Sequence, residues 1–193
     1  MDSFTKSGKC IIFSAPSGAG KTTIVHALLD ANIGLEFSVS ACSRSPRPNE
    51  VNGRDYYFLD VETFKKQIAN GDFLEWQEVY TNNFYGTLRS EITRIWNQNK
   101  TVVFDVDVIG GLNLKRIFGE HALAIFVQPP TIEILEDRLR NRSTESEEKI
   151  IQRMHKAKKE LAEAPKFDCI IFNDSLENAI AKSKELVLNF IKS

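Results

Sequence analysis

The chain has 193 residues, enough for one sizeable hydrophobic core with small appended lobes. Lys and Arg number 25 against 26 Asp and Glu, so this balance gives no support for bulk nucleic-acid binding. No apolar run approaches the roughly 20 residues that span a bilayer, and the amino terminus lacks the apolar core of a signal peptide. The three cysteines lie far apart, without metal-site spacing. We therefore expect a reduced, cytoplasmic protein that binds neither nucleic acid nor membrane.

A strand-to-helix junction near the amino terminus carries the strongest motif. The apolar run 10–13 predicts a buried parallel strand, and Ile24, Ala27 and Leu28 have the spacing of an inward helix face. Between them, residues 15–22 fit the phosphate-binding loop G-x-x-x-x-G-K-[ST], except that Ala15 stands where the first glycine is usual. Alanine is compatible with the loop if the φ at position 15 is negative.

The chemistry of this loop favours a nucleoside triphosphate. Gly18 and Gly20 let backbone amides turn inward, and the following helix adds the positive end of its dipole. Lys21 supplies a charge for the β- and γ-phosphates, and the hydroxyl of Thr22 can ligate Mg²⁺. A dinucleotide fingerprint is excluded because Thr23 stands where a third glycine is needed. The residues predicted to bind the triphosphate are Ala15, Pro16, Ser17, Gly18, Ala19, Gly20, Lys21, Thr22 and Thr23.

Strand-like and helical patterns alternate along the chain, which predicts an α/β fold with a parallel sheet core flanked by helices. Predicted strands cover residues 35–40, 56–59, 73–80, 101–107, 122–127 and 167–172, with a turn at 81–83. Predicted helices cover about 61–70, 88–97 and 109–118, then two charge-dense stretches within 131–162. Ser175 is expected to cap the last helix, whose inward candidates include Ala179, Leu186 and Phe190. Residues 37–87 form a small β-rich insertion in this reading.

A second candidate site combines two arginines and a tyrosine. Ser40-x-x-x-Arg44-x-x-Arg47 is followed by Tyr56 nine residues on. Arginines in a proline-stiffened loop can form bidentate contacts with a dianionic monophosphate, and the hydroxyls of Tyr56 and Tyr85 can complete its coordination. Alone, the segment would read as a solvated basic loop. In a chain with a phosphate-binding loop, it predicts a nucleoside monophosphate acceptor site.

Residues 40–58, S-A-C-S-R-S-P-R-P-N-E-V-N-G-R-D-Y-Y-F, resemble the monophosphate loop of bacterial-type guanylate kinases, S-x-x-T-R-x-P-R-x-G-E-x-x-G-x-D-Y-x-F. The match continues through F-L-E-W, Y-G-T, D-V-D, R-L-x-x-R and N-D, and so covers nearly the whole chain. The resemblance implies the P-loop nucleoside monophosphate kinase fold as a single guanylate-kinase-like domain. Its expected parts are a core (1–36, 88–130 and 164–193), a GMP-binding lobe (37–87) and a helical lid (131–163).

The resemblance also implies site roles. Arg44, Arg47, Tyr56 and Tyr85 would hold the GMP phosphate, while Ser40, Glu75, Thr87 and Asp107 would face the nucleoside. Asn173 would belong to the ATP site, and the lid arginines Arg138, Arg142 and Arg153 would act on the transferring phosphoryl group. For these arginines a salt-bridged surface helix is the alternative.

Guanine chemistry supports the nucleoside assignment independently. Guanine presents N1–H and a 2-amino group side by side, which the carboxylate of Glu75 can accept, and Thr87 can donate to O6. Adenine has a lone pair at N1, so the same carboxylate would be repelled. Such hydrogen-bond matching can discriminate by about 10⁴ to 10⁵. A solvated strand carboxylate is the alternative for Glu75.

Two aspartates lie at the carboxyl end of a predicted core strand, where ligands bind in open α/β sheets. We assign Asp107, together with Thr22, to Mg²⁺ and the nucleotide, and place Asp105 behind it. The alternative is that both only cap the following helix.

Outside residues 40–58, the match includes the following departures from the family pattern. The family's D-x-Q-G is Asp107-Val108-Ile109-Gly110 here, and its R-G-T is Arg142-Ser143-Thr144. The turn from Tyr80 to Phe84 is one residue longer than usual, which leaves the register between Glu75 and Tyr85 open.

The expected activity is transfer of the γ-phosphoryl of MgATP to GMP or dGMP in purine nucleotide metabolism, by a monomer or homodimer. One alternative is a non-catalytic guanylate-kinase-like module that binds partner proteins, although such modules usually carry a degraded phosphate loop. Another is a kinase of a phosphorylated sugar, which should lack the pair Glu75 and Thr87.

Overall fold

The computed structural model describes residues 8–142 and 147–193, which form parts of two compact units. The small unit contains Gly8 and residues 36–102, and the large unit contains residues 9–35 and 103–193. The small unit thus extends beyond the predicted lobe of residues 37–87. The functional division into core, lobe and lid stays a prediction.

The strands are β1 (Cys10–Ser14), β2 (Leu35–Phe37), β3 (Ala41–Cys42), β4 (Tyr57–Phe58), β5 (Phe73–Tyr80), β6 (Asn83–Leu88), β7 (Thr101–Val106), β8 (Ala122–Gln128) and β9 (Cys169–Phe172). The helices are α1 (Lys21–Asp30), α2 (Val61–Ala69), α3 (Arg89–Trp96), α4 (Val108–Phe118), α5 (Ile132–Arg142), α6 (Glu147–Ala162) and α7 (Leu176–Lys192). Short 3₁₀ helices cover Gly119–His121 and Ala164–Lys166.

A five-stranded sheet has the order β2-β7-β1-β8-β9. β1 pairs parallel to β8 with Cys10 opposite Ala122, and β8 pairs parallel to β9 with Ile125 opposite Cys169. Every residue of β1 is buried, as expected for a parallel strand with helices on both faces. This arrangement confirms the predicted α/β fold with a parallel sheet core.

Several predicted boundaries were wrong. β2 ends at Phe37 instead of continuing to residue 40, because the amide of Val39 donates to the carboxylate of Glu91 rather than to a strand. Strand β3 was not predicted from the sequence, and β9 begins only after a 3₁₀ turn that includes Pro165. On α7 the fully buried face is Ala179, Ser183 and Val187, with Leu186 and Phe190 half-buried.

Side chains cap two helices, and the second of these caps was predicted from the sequence. The carboxylate of Asp60 accepts the amide of Thr63 at 2.7 Å and starts α2. The hydroxyl of Ser175 accepts the amide of Asn178 at 3.5 Å and starts α7. Such caps satisfy amides that the helix itself leaves without partners.

The small unit contains a four-stranded sheet with the order β4-β3-β6-β5. Strands β5 and β6 are antiparallel, with Glu75 opposite Thr87, which resolves the register that the sequence left open. Asn82, with φ of 61°, makes the turn, so β6 already begins at residue 83. The ring of Phe64 stacks on Phe73 and Phe84 at centroid distances of 4.4 and 5.5 Å, and this core holds the hairpin.

The cysteines of this chain are free thiols. Cys10 is buried, as predicted, and burial raises the pKa of its thiol; Cys169 is only half-buried. Among the described residues, no helix is both long enough and apolar enough to cross a membrane.

Candidate functional site

The loop of residues 15–22 adopts the backbone that its sequence predicts. Gly18 and Gly20 have φ of 93° and 92°, a region that side-chain-bearing residues rarely adopt. Ala15 is not among the described residues with positive φ, so it replaces the usual glycine without strain. The amide of Ala19 donates to the carbonyl of Pro16 at 3.1 Å and closes the turn.

The first turn of α1 has the features of an anion site. Gly20 is the N-cap residue, so no side chain caps the helix, and the first turn holds no acidic residue. The first amides of a helix have no partner within the helix, and the dipole adds partial positive charge there. A phosphate group is the complementary ligand.

Lys21 and Thr22 both reach Asp105 at the end of β7. The ammonium of Lys21 contacts Oδ1 of Asp105, and the hydroxyl of Thr22 donates to Oδ2 at 2.7 Å. Burial lowers the pKa of Lys21 to about 8, although the negative charges of Asp107 and Glu160 act in the opposite direction. The carboxylate in direct contact with the loop is therefore that of Asp105, although the sequence predicted this role for Asp107.

Asp107 acts as a helix cap. Its Oδ1 accepts the amide of Gly110 at 2.8 Å at the start of α4, and its carbonyl accepts the hydroxyl of Ser14 at 3.1 Å. Asp107 therefore caps the following helix, as the alternative interpretation expected, whereas Asp105 caps no helix in the described part of the chain. A role for Asp107 toward the nucleotide or the metal stays a prediction.

The hydroxyl of Thr22 and the carboxylate of Asp105 are hard oxygen donors that lie side by side, and they fit Mg²⁺. Within residues 8–142 and 147–193, no group of three or more His, Cys, Asp or Glu could hold a metal by itself. A cation at this point would therefore complete its shell with water and phosphate oxygens, which is the usual environment of Mg²⁺.

Asn173 supports the phosphate-binding loop directly. It follows β9, is only 4% exposed, and donates its backbone amide to the carbonyl of Gln128 at 2.8 Å. Its side-chain amide donates to the carbonyl of Ala19 at 2.7 Å, and a Cβ on Gly20 would clash with the same nitrogen. Asn173 therefore fixes the loop backbone, and a contact with ATP stays a prediction.

The predicted lid region packs against the loop through apolar side chains. Leu135 and Leu139 of α5 share a buried cluster with Ile150 and Met154 of α6. Atoms of both leucines lie 3.2 and 3.3 Å from the point where Gly18 would carry a Cβ. The first turn of the loop thus rests on α5.

The lid arginines have different outcomes. Arg138 and Arg153 are half-buried on α5 and α6, and the side chain of Arg142 lies outside the described part. Arg140 bridges Glu136 and Glu147, so the surface ion pairs considered as the alternative are present at that position. The catalytic roles of Arg138, Arg142 and Arg153 stay predictions.

In the small unit, Arg44 lies among aromatic residues. Its Nε donates to the hydroxyl of Tyr85 at 3.2 Å, and its guanidinium lies 5.0 Å from the ring centroid of Tyr56. The rings of Tyr56 and Tyr85 are 6.0 Å apart, nearly edge to face. The structure thus brings together three of the four residues predicted to hold the GMP phosphate.

Glu50 connects Arg44 to the fourth of these residues, Arg47. Its carboxylate accepts hydrogen bonds from both terminal nitrogens of Arg44 and from the backbone amide of Arg47. The hydrogen bonds from Arg44 lower the pKa of Glu50 to about 2. No role for Glu50 was predicted from the sequence, although the family pattern has a glutamate at this position. Asn49 stands where that pattern has glycine, and its φ of 75° shows that asparagine adopts the left-handed backbone.

Two of the residues predicted to face the nucleoside, Glu75 and Thr87, are hydrogen-bonded to each other, and their contact with guanine stays a prediction. The hydroxyl of Thr87, only 1% exposed, donates to Oε1 of Glu75 at 2.8 Å across the β5–β6 hairpin. Ser40, also expected to face the nucleoside, accepts the amide of Tyr57 through its carbonyl at 2.9 Å. Three of the four nucleoside-facing candidates therefore lie in the small unit, and Asp107 belongs to the large one.

A family model described as guanylate kinase matches residues 7–189. The chain is similar to the guanylate kinase of Bacteroides fragilis, with 49% identity over 187 residues covering 97% of this chain and 92% of that protein. It is 50% identical to the guanylate kinase of Bacteroides thetaiotaomicron over 184 residues, covering 95% and 90% of the two chains. It also resembles the crystal structure of guanylate kinase from Anaplasma phagocytophilum, with a TM-score of 0.74, 26% identity, and coverage of 96% and 87%. Because the family model spans nearly the whole chain and these relatives match most of both lengths, the chain belongs to the guanylate kinase family, bacterial type.

Proposed function

We propose that this protein is a guanylate kinase that transfers the γ-phosphoryl group of MgATP to GMP or dGMP, giving ADP and GDP or dGDP. The observation that carries the proposal is the intact phosphate-binding loop, in which Lys21 and Thr22 converge on Asp105. A module of this fold that only binds proteins would not need a lysine and a threonine directed at one carboxylate. The cytoplasmic location and assembly as a monomer or homodimer stay predictions.

The ATP phosphates would be bound by the loop of residues 15–23, through the backbone amides that have no partner within the protein, and by the ammonium of Lys21. The loop conformation required for this is maintained by the two glycines with positive φ and by the hydrogen bond from Asn173 to Ala19. Thr22 and Asp105 would hold Mg²⁺, which supplies positive charge to the β- and γ-phosphate oxygens.

The GMP phosphate would be bound by Arg44, Arg47, Tyr56 and Tyr85. Arg44 and both tyrosines are already in mutual contact, so little side-chain ordering is left for binding to impose. The base would be read by Glu75 and Thr87, with Ser40 and Asp107 also facing the nucleoside. A carboxylate that accepts N1–H and the 2-amino group of guanine leaves adenine without matching donors.

Phosphoryl transfer in this proposal needs no covalent intermediate. A phosphate oxygen of GMP attacks the γ-phosphorus in line, while Lys21 offsets charge that spreads onto the equatorial oxygens. Arg138, Arg142 and Arg153 are proposed to add to this stabilisation, for which a single arginine can contribute about 10³ to 10⁵ in rate. Exclusion of water is required because bound ATP would otherwise hydrolyse.

A coupled assay for ADP formation tests the proposal with GMP, dGMP, AMP, UMP and ribose phosphates as acceptors. We expect turnover with GMP and dGMP, and little with the other acceptors. Lys21→Ala should lower kcat by at least about 10² because it removes a charge from the transferring phosphoryl group. Turnover with a sugar phosphate alone, or no transfer to any acceptor, would overturn the assignment in favour of one of the two alternatives.

A further inference from the structure

Glu91, in the first turn of α3, is a buried carboxylate that the proposed reaction does not use. Glu91 is only 2% exposed, and each of its carboxylate oxygens accepts two hydrogen bonds. Oε1 accepts the amide of Val39 at 3.1 Å and Nη2 of Arg94 at 2.9 Å. Oε2 accepts the hydroxyl of Tyr57 at 3.0 Å and Nε of Arg94 at 2.9 Å. A buried charge is costly unless it is paired in this way.

These four donors keep the carboxylate ionised. Burial alone would raise the pKa of Glu91, but the hydrogen bonds from Arg94, Val39 and Tyr57 together hold that pKa below its usual range. Glu91 is therefore a fixed negative charge at neutral pH, with four acceptor positions committed to specific donors.

Two of the donors border Ser40, the residue expected to face the nucleoside. Val39 directly precedes Ser40 in the chain, and Tyr57 donates its own amide to the carbonyl of Ser40 at 2.9 Å. The carboxylate of Glu91 thus holds the backbone on one side of Ser40 through Val39, and on the other side through Tyr57. Tyr57 also follows Tyr56, one of the expected phosphate contacts.

We propose that Glu91 is a positioning residue of the GMP site, which fixes the backbone of Ser40 through its hydrogen bonds to Val39 and Tyr57. This inference rests on the proposed function, because Ser40 is assigned to the nucleoside there. Glu91 touches no substrate itself. Its contribution is to keep the segment of residues 39–40 in one conformation before GMP arrives, which lowers the ordering cost of binding.

Steady-state kinetics of the full-length protein test this proposal with Glu91→Gln and Tyr57→Phe. Glu91→Gln replaces one acceptor oxygen by a donor, and we expect KM for GMP to rise about tenfold or more, as for a lost hydrogen bond to a charged group. Tyr57→Phe removes one donor, and we expect a rise of about threefold to tenfold. The value of kcat and KM for ATP should stay within about twofold of the wild type. Glu62→Gln, an exposed glutamate in the first turn of α2, is the matched control and should change neither KM.

A double-mutant cycle with Ser40→Ala separates positioning from general support of the fold. If Glu91 acts by placing Ser40, loss of Glu91 should cost less once the Ser40 hydroxyl is absent, so the two effects on KM for GMP should be non-additive. Additive effects or an unchanged KM for GMP would overturn the proposal. A lower kcat together with higher KM values for both GMP and ATP would overturn it as well. If Glu91→Gln does not fold, the cycle of Tyr57→Phe with Ser40→Ala gives the decision.

The wild type separates this proposal from the one on which it rests. A wild-type protein that does not phosphorylate GMP overturns the proposed function. An active wild type whose Glu91 and Tyr57 variants keep the KM for GMP overturns only the positioning role.

Discussion

Glu50 and Arg44 form a bidentate ion pair, in which Nη1 donates to Oε2 at 2.6 Å and Nη2 donates to Oε1 at 2.7 Å. Arg44 also donates from Nε to Tyr85, so the plane of its guanidinium is fixed by protein groups on two sides. A bidentate contact between a phosphate and the two terminal nitrogens of Arg44 would have to displace Glu50. We infer that Glu50 instead stays in place and orients Arg44.

Glu50→Ala tests this inference. Without the carboxylate, the guanidinium loses its orientation and the amide of Arg47 loses its acceptor, so KM for GMP should rise about tenfold while KM for ATP stays unchanged. Initial rates at saturating ATP measure the change, and Arg44→Ala should raise KM for GMP at least as much. Glu62→Ala is the control for loss of an exposed glutamate in the same unit. A lower KM for GMP in Glu50→Ala would mean that the carboxylate competes with the phosphate.

Replacing each aspartate in turn distinguishes Asp105 from Asp107. Asp105→Asn weakens the donor pair with Thr22, so the Mg²⁺ concentration for half-maximal activity should rise about tenfold or more. Asp107→Asn should have a smaller effect on that concentration, because asparagine also caps helices well. Titration of activity with Mg²⁺ at fixed ATP gives both values. The reverse order of the two effects would restore the original assignment of the metal to Asp107.

The pH dependence of ATP binding follows from Lys21. Because burial lowers the pKa of Lys21 to about 8, its ammonium loses the proton in the free protein above that pH. The triphosphate favours the charged form, so binding above about pH 8 must take up a proton, and affinity should fall by up to about tenfold per pH unit.

Calorimetry without GMP, between about pH 7.5 and 9.5 in two buffers of different ionisation enthalpy, measures the affinity and the proton uptake together. Lys21→Arg, whose guanidinium stays charged throughout, should bind ATP with a flat profile over this range. A flat profile for the wild type would contradict the low pKa.

The link between Asn173 and the loop predicts a selective effect on ATP. Asn173→Ala leaves the carbonyl of Ala19 without its amide donor, at a cost of about 1–3 kcal/mol in stability. The less ordered loop should raise KM for ATP about tenfold, with KM for GMP unchanged. Asn178→Ala, an exposed asparagine on α7, is the control. Thermal unfolding together with initial rates measures both effects, and an unchanged KM for ATP would show that the loop holds its shape without Asn173.

The sequence predicted the phosphate-binding loop, the alternation of strands and helices, and the residues around the expected monophosphate. These signals are local, because a glycine turn between an apolar run and a helical pattern depends on near neighbours in the chain. The capping of α2 by Asp60 and of α7 by Ser175 is local for the same reason. The limits of β2 and β9 were missed because they depend on partners far along the chain.

By itself, the amino-acid sequence determined the family to which this protein belongs, and it predicted which groups would bind phosphate and guanine. Only the tertiary structure decided that Lys21 contacts Asp105 rather than Asp107. It also decided that Glu50 pairs with the guanidinium of Arg44, and that Glu91 accepts hydrogen bonds from both Val39 and Tyr57. The physical reason is that a carboxylate partly or wholly removed from water is stable only where several donors converge on it. Those donors come from segments that approach one another only when the chain has folded.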